Sequence, residues 1–209
     1  LLDMGGISDR DAEQIVRQAG RDLASSDGEL SAVLAKMPKS VRLSGRASEA
    51  VKSAIQQMSS DGEKRSVIQQ YAMSGDREMS LMAMKEARQI SSDGEKAELL
   101  KTVAPRFVYS PGLREAFFAT AATIGSDGEL AGVLKAAIPH ARSGESALSV
   151  IRTSKQISSD GEKAEVLIEV VNQHMLTTKQ LRDAFMDSAR SISSDGEYRR
   201  VLEAVLKRE

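Results

Sequence analysis

A four-residue phrase, Ser-Asp-Gly-Glu, occurs six times in this chain of 209 residues. Its aspartates are Asp27, Asp61, Asp93, Asp127, Asp160 and Asp195, spaced 34, 32, 34, 33 and 35 residues apart. A short string returning at that period is the mark of stacked helical hairpins, because one hairpin cannot bury its apolar face alone. The string itself reads as a helix start. A serine at the N-cap and a glutamate three residues later form a capping box, in which the hydroxyl accepts from the third N–H and the glutamate reaches back to the cap N–H. The predicted cap pairs are Ser26 with Glu29, Ser60 with Glu63, Ser92 with Glu95, Ser126 with Glu129, Ser159 with Glu162, and Ser194 with Glu197. The intervening aspartate places negative charge at the positive end of the helix dipole. The glycine costs helix propensity, and its recurrence predicts close packing of a neighbouring repeat on the backbone there.

An apolar stripe of helical period follows each cap; Val166, Leu167, Val170 and Val171 show it in the fifth copy. A second stripe precedes each cap. Phe117, Ala121 and Ile124 match Phe185, Ala189 and Ile192 at the same offsets. Helix A, a tight turn and helix B thus make one repeat, with A and B antiparallel. Helix B is expected to stop at Pro38, Pro105 and Pro139 in three repeats. Helix A restarts from polar caps, for which the candidates are Ser8, Ser44, Ser74, Ser110 before Pro111, Ser143, and Thr177 with Gln180. The predicted fold is therefore all-α, an α-solenoid of six helix-turn-helix (HEAT/TPR-like) repeats of about 33 residues. Residues 1–209 form a single domain, with repeats at about 7–42, 45–73, 76–109, 111–142, 143–175 and 177–209.

The composition suits thin helical layers. Apolar residues make up 41%, yet aromatics only 3% with no Trp, so Leu, Val, Ile, Met and Ala must fill the core. A net charge of −1 lacks the basic excess that general nucleic-acid binding needs. There is no cysteine, hence no disulfide framework or thiolate site. No apolar run reaches the roughly 18 residues of a membrane span. The start, Leu-Leu-Asp-Met-Gly-Gly, has no initiator Met and suggests a piece of a longer or processed protein.

The phrase Ala-Arg-x-Ile-Ser-Ser-Asp-x-Glu-x-Ala-x-Val-Leu, best matched over Ala87–Leu100, Ser154–Leu167 and Ala189–Leu202, resembles a repeat carried by bacterial membrane metallopeptidases of the beta-lactam-sensor type. The resemblance implies a helical array on the extracytoplasmic side (periplasm or envelope), acting as a sensor or regulatory appendage of a larger membrane peptidase or signalling receptor. The chain holds no His-Glu-x-x-His, so peptidase activity is not carried over.

No motif points to catalysis, a cofactor or a resident metal. His140 and His174, the two histidines, fall in different repeats without a second histidine at ligand spacing. The motif serines are accounted for as caps, not as nucleophiles. A calcium loop spreads its oxygens over about a dozen residues, unlike the clustered Asp-Gly-Glu. Met79, Met82 and Met84 fit core filling, with an adaptable surface as the other reading. The non-repeating stretches are the loops from B to the next A. They carry Lys39, Arg42, Arg46, Arg77, Arg106, Arg142 and both histidines, with Phe107 and Tyr109. Arginine beside aromatics is the composition of an interface anchor; the other reading has Phe107 covering the core. The expectation is a non-enzymatic scaffold that binds a protein or peptide through a basic loop edge, opposite an acidic edge of caps. Self-association into an end-to-end structural array is the alternative, and nucleic acid is not expected as a partner.

Overall fold

Each Ser-Asp-Gly-Glu phrase opens a helix whose first residue is its aspartate. The structure, a computed structural model, describes residues 7–40 and 45–207. The B helices are α2 (Asp27–Leu34), α5 (Asp61–Ala72), α7 (Asp93–Phe107), α9 (Asp127–Ala137), α11 (Asp160–Asn172) and α13 (Asp195–Leu206). Their A partners are α1 (Asp9–Asp22), α4 (Gly45–Gln57), α6 (Arg77–Ala87), α8 (Pro111–Ala121), α10 (Gly144–Ser154) and α12 (Lys179–Ala189). A single-turn α3 (Met37–Ser40) and a 3-10 turn (Ile138–His140) fill two of the B-to-A loops. The described residues contain no strand. The fold is an all-α helical-repeat array of six hairpins, as the period requires.

The chain divides into two compact units, Leu1–Leu99 and Leu100–Glu209, with the sequence boundary inside α7. In the first unit α1 packs on α4 and α4 on α6, while α2 packs on α5. In the second, α8, α10 and α12 form one layer and α9, α11 and α13 the other. Like helices therefore lie beside like within each unit. The stripes read from sequence are the core: Phe117, Ala121, Phe185 and Ala189 are buried, as are Val166, Leu167, Val170 and Val171. Small side chains let helices approach closely. The hydroxyls of Ser154 in α10 and Ser188 in α12 meet at 3.0 Å, both buried. Met79, Met82 and Met84 are buried and fill core space.

Three boundaries differ from expectation. α7 runs through Pro105 to Phe107 instead of stopping. A proline so near the C-terminal end forfeits one backbone bond. Continuing the helix seats Phe107 and Val108, both fully buried, and burying a Phe is worth about 1.5–3 kcal/mol. α12 is capped by Thr178, whose hydroxyl accepts from Leu181 N–H, one residue beyond the predicted Thr177. α6 is capped by Asp76, which accepts from Met79 N–H, and Ser74 instead accepts from the Asp76 N–H. A carboxylate makes the stronger cap, since it adds charge at the helix N-terminus. Ser44 lies outside the described residues.

Candidate interaction surface

The motif serines cap their helices. Their hydroxyls accept from the N–H of Glu29, Glu63, Glu95, Glu129, Glu162 and Glu197 at 3.3–3.5 Å. The reciprocal half of the predicted capping box is supplied from elsewhere. At the caps Ser60, Ser92, Ser159 and Ser194 the N–H groups donate to the motif aspartate of the preceding repeat. Ser59 and Ser60 both donate to Asp27 Oδ2, at 2.7 and 2.6 Å. Ser92 donates to Asp61 at 2.6 Å. Ser158 and Ser159 donate to the two oxygens of Asp127 at 2.9 and 2.7 Å. Ser193 and Ser194 donate to Asp160 at 3.1 and 2.8 Å. The aspartate sits in the first turn of one B helix and caps the next, so one carboxylate serves two helix starts. A carboxylate bonded by two N–H groups outcompetes a glutamate that must fold back on its own helix, because the latter costs more side-chain entropy.

The displaced glutamates lean the other way, toward the preceding repeat. A Cβ built on Gly28, Gly62 or Gly128 would meet the carboxylate oxygens of Glu63, Glu95 or Glu162 at 3.8–4.0 Å. That is ordinary contact distance, and Gly161 has nothing within 4 Å. The expected close packing on the glycine backbone is therefore not what the structure shows: side-chain termini, not backbone, lie over these positions. Glu95 pairs with Arg65 at 2.5 Å, and Glu129 with Lys101 at 3.5 Å. Lys163, almost fully buried, spans to the sixth repeat, where its ammonium donates to the carbonyl and hydroxyl of Ser191. Burial pushes the Asp61 carboxyl up, but the N–H groups of Ser92 and Ser91 and the Lys64 ammonium outweigh it. They hold Asp61 below the ordinary carboxylate value. The supposed acidic edge is thus largely a set of inter-repeat bonds.

The loop residues separate into surface and core. In the first unit Arg46 and Arg77 stand exposed in the opening turns of α4 and α6. The side chains of Lys39 and Arg42 lie outside the described residues. Met73, in the α5–α6 loop, is 49% exposed, although its sequence gave no reason to single it out. In the second unit Phe107 departs from the anchor role: its ring is fully buried, with the Arg106 guanidinium 5.9 Å from its centroid. Tyr109 is the exposed aromatic, at 62%. Arg142 and His174 are exposed, and His140 is half-buried in the 3-10 turn. His174 takes a left-handed backbone, φ 54°, which turns the chain out of α11. A cleft of about 430 Å³ joins the α9–α10 and α11–α12 loops and brings Arg142 and His174 to one lining, with Ser143, Gln173 and Thr177. His140 is not part of that lining.

Among the described residues no group of three or more His, Cys, Asp or Glu could hold a metal ion. No described helix is long and apolar enough to cross a membrane. Compared with known proteins, the chain matches no protein-family model, no curated protein and no solved structure.

Proposed function

We propose that this chain is a non-enzymatic helical-repeat scaffold that binds an acidic peptide segment of a partner protein through its B-to-A loops. The observation that carries the reading is the cleft between two consecutive loops, where Arg142 and His174 converge beside hydroxyl and amide groups. Its size falls within the range of ligand-binding clefts. Arginine and histidine favour a carboxylate-bearing ligand, and Ser143, Gln173 and Thr177 add hydrogen-bonding capacity. The same loop class carries Met73 and Tyr109, exposed apolar groups of the kind that anchor interfaces. The serine hydroxyls of the repeated motif are engaged as caps, which supports a structural and not a nucleophilic role for them.

Peptide display on the immobilised chain tests this. Peptides rich in Asp and Glu are expected to enrich. Arg142→Glu with His174→Ala should weaken the selected peptides by about tenfold, equivalent to about 1.4 kcal/mol, without changing the far-UV circular dichroism. Failure of acidic peptides to enrich, or equal binding by the variant, overturns the proposal.

A further inference from the structure

The cleft that holds Arg142 and His174 does not end at the loops. It continues into the seam between α10 and α12, which pack side by side in the second unit. Gly144 and Leu181 line the cleft. Leu148, Ile151 and Lys155 follow Gly144 at helical spacing, and Ala184 and Ser188 follow Leu181 in the same way. These five residues line a groove of about 550 Å³. Cleft and groove meet where Ala147 is followed by Leu148 on α10, and where Gln180 is followed by Leu181 on α12. A Cβ built on Gly144 meets nothing within 4 Å, so space is open over the first turn of α10. No B-helix residue lines the groove, which opens on the outer side of two A helices that already neighbour each other.

The groove has a buried floor and charged rims. Leu148, Ile151 and Ser188 are buried. Lys155 pairs with Asp187 across the seam at 2.7 Å, and Lys179 pairs with Asp183 along α12 at 2.6 Å. Arg152 is the remaining charge of the lining. It is exposed and has no partner among the described residues. Three cations (Arg152, Lys155 and Lys179) against two carboxylates (Asp183 and Asp187) leave the groove a net +1. The uncancelled charge therefore has the same sign as Arg142 at the other end. Arg142 stands two residues before α10, and Arg152 lies in its last turn. Gly144 to Arg152 is eight residues of helix, about 12 Å at about 1.5 Å per residue. An extended peptide advances about 3.3 Å per residue and returns side chains to one face every second residue, so carboxylates about four residues apart span about 13 Å on the same side.

Building on the acidic-peptide role of the cleft, we infer that the bound segment is extended and runs on along the α10–α12 seam. It carries a second carboxylate about four residues from the first. The first meets Arg142 and the second meets Arg152, with Leu148 and Ile151 under the residues between them. The Lys155–Asp187 and Lys179–Asp183 pairs leave the other lining charges neutralised, so Arg152 alone of that lining is open to the ligand.

Random-peptide display on the immobilised full chain reads the spacing. Peptides that enrich on the wild type should carry two acidic residues about four apart. Arg152→Gln, an exposed change checked for folding by circular dichroism, should still enrich acidic peptides, but without the second acid at that place. In fluorescence anisotropy, a doubly acidic peptide selected on the wild type should bind this variant about fivefold more weakly, the size of one exposed ion pair. Its counterpart with the second acid replaced by Ala should bind both proteins alike. Acidic peptides that enrich with no fixed spacing, or with acids about eight apart as a helix would present them, overturn this inference and leave the cleft itself as an acidic-peptide site. Equal binding of the doubly acidic peptide by Arg152→Gln does the same. No enrichment of acidic peptides at all overturns both.

Discussion

Asp127→Ala removes one side chain that serves two helix starts. Its oxygens accept from Ser158 and Ser159 N–H at 2.9 and 2.7 Å, at the entrance to α11. Loss of a side-chain cap costs about 0.5–2 kcal/mol, typically about 1. Two bonds are lost here, but the serines are exposed and water takes over part of the bonding. The net cost should be about 1–2 kcal/mol. Asp195→Ala is the matched control: the same residue, in the same first-turn position of its own helix, with no following repeat to cap among the described residues. It should lose only the charge–dipole contribution, about 0.3–0.5 kcal/mol at an exposed helix end. The difference of about 1 kcal/mol isolates the inter-repeat bond from the local effect. It corresponds to about 2–4 °C in melting temperature for a chain of this length. Urea and thermal unfolding followed by circular dichroism measure both. Equal losses for the two variants would refute the claim that the motif aspartate acts on the next repeat.

Ser159→Ala should cost about 1 kcal/mol, while Glu162→Ala should stay within about 0.5 kcal/mol, because the glutamate does not close the box; chemical unfolding compares them, and equal losses would restore the reciprocal cap. Gly161→Ala should stabilise by about 0.5–1 kcal/mol, since a Cβ there meets nothing within 4 Å. Gly75→Ala, at φ +91°, should cost about 1–3 kcal/mol in the same assay. Tyr71→Phe should cost about 1–2 kcal/mol, because the buried hydroxyl donates to the Leu34 carbonyl at the end of α2 and leaves it unsatisfied when removed. Asp61 is held below its ordinary value in the folded chain, so its contribution is complete above the unfolded carboxylate range of about 3.9. That contribution is lost as pH falls from there through the lower folded value. Asp61→Asn should flatten the acid limb of the stability curve, and an unchanged limb would refute the assignment.

The joints also bear on how the array holds together. Surface ion pairs such as Arg65 with Glu95 contribute at most about 1 kcal/mol each. The fixed geometry comes instead from apolar layers, with Asp-to-backbone bonds setting the register between neighbouring hairpins. A carboxylate that accepts two adjacent N–H groups tolerates little displacement. Repetition of one short motif thereby repeats one helix-to-helix offset within each unit.

Six helix starts were legible to the residue because a cap is local. Serine, aspartate and glutamate within one turn define it, and the period-3.6 stripes on either side need only their own sequence. Boundaries that depended on competition between neighbours were less so. Thr177 with Gln180 reads as the cap of α12, yet the Thr177 N–H is turned back to the Met175 carbonyl and Thr178 stands at the cap. Pro105 reads as a stop, yet burying Phe107 and Val108 outweighs one lost backbone bond.

The sequence alone therefore determined that there are six hairpins, where their second helices begin and which faces are apolar. Those properties follow from interactions within about four residues. Only tertiary structure decided what the motif aspartates and glutamates touch, because their partners lie some thirty residues away on another repeat. It also decided that Phe107 is core while Tyr109 is surface, and that the Arg142 and His174 loops share a cleft while His140 stays outside it. Local hydrogen bonds and periodicity cannot encode those outcomes. They depend on how closely neighbouring layers pack, and on which backbone N–H groups that packing leaves for a carboxylate to fill.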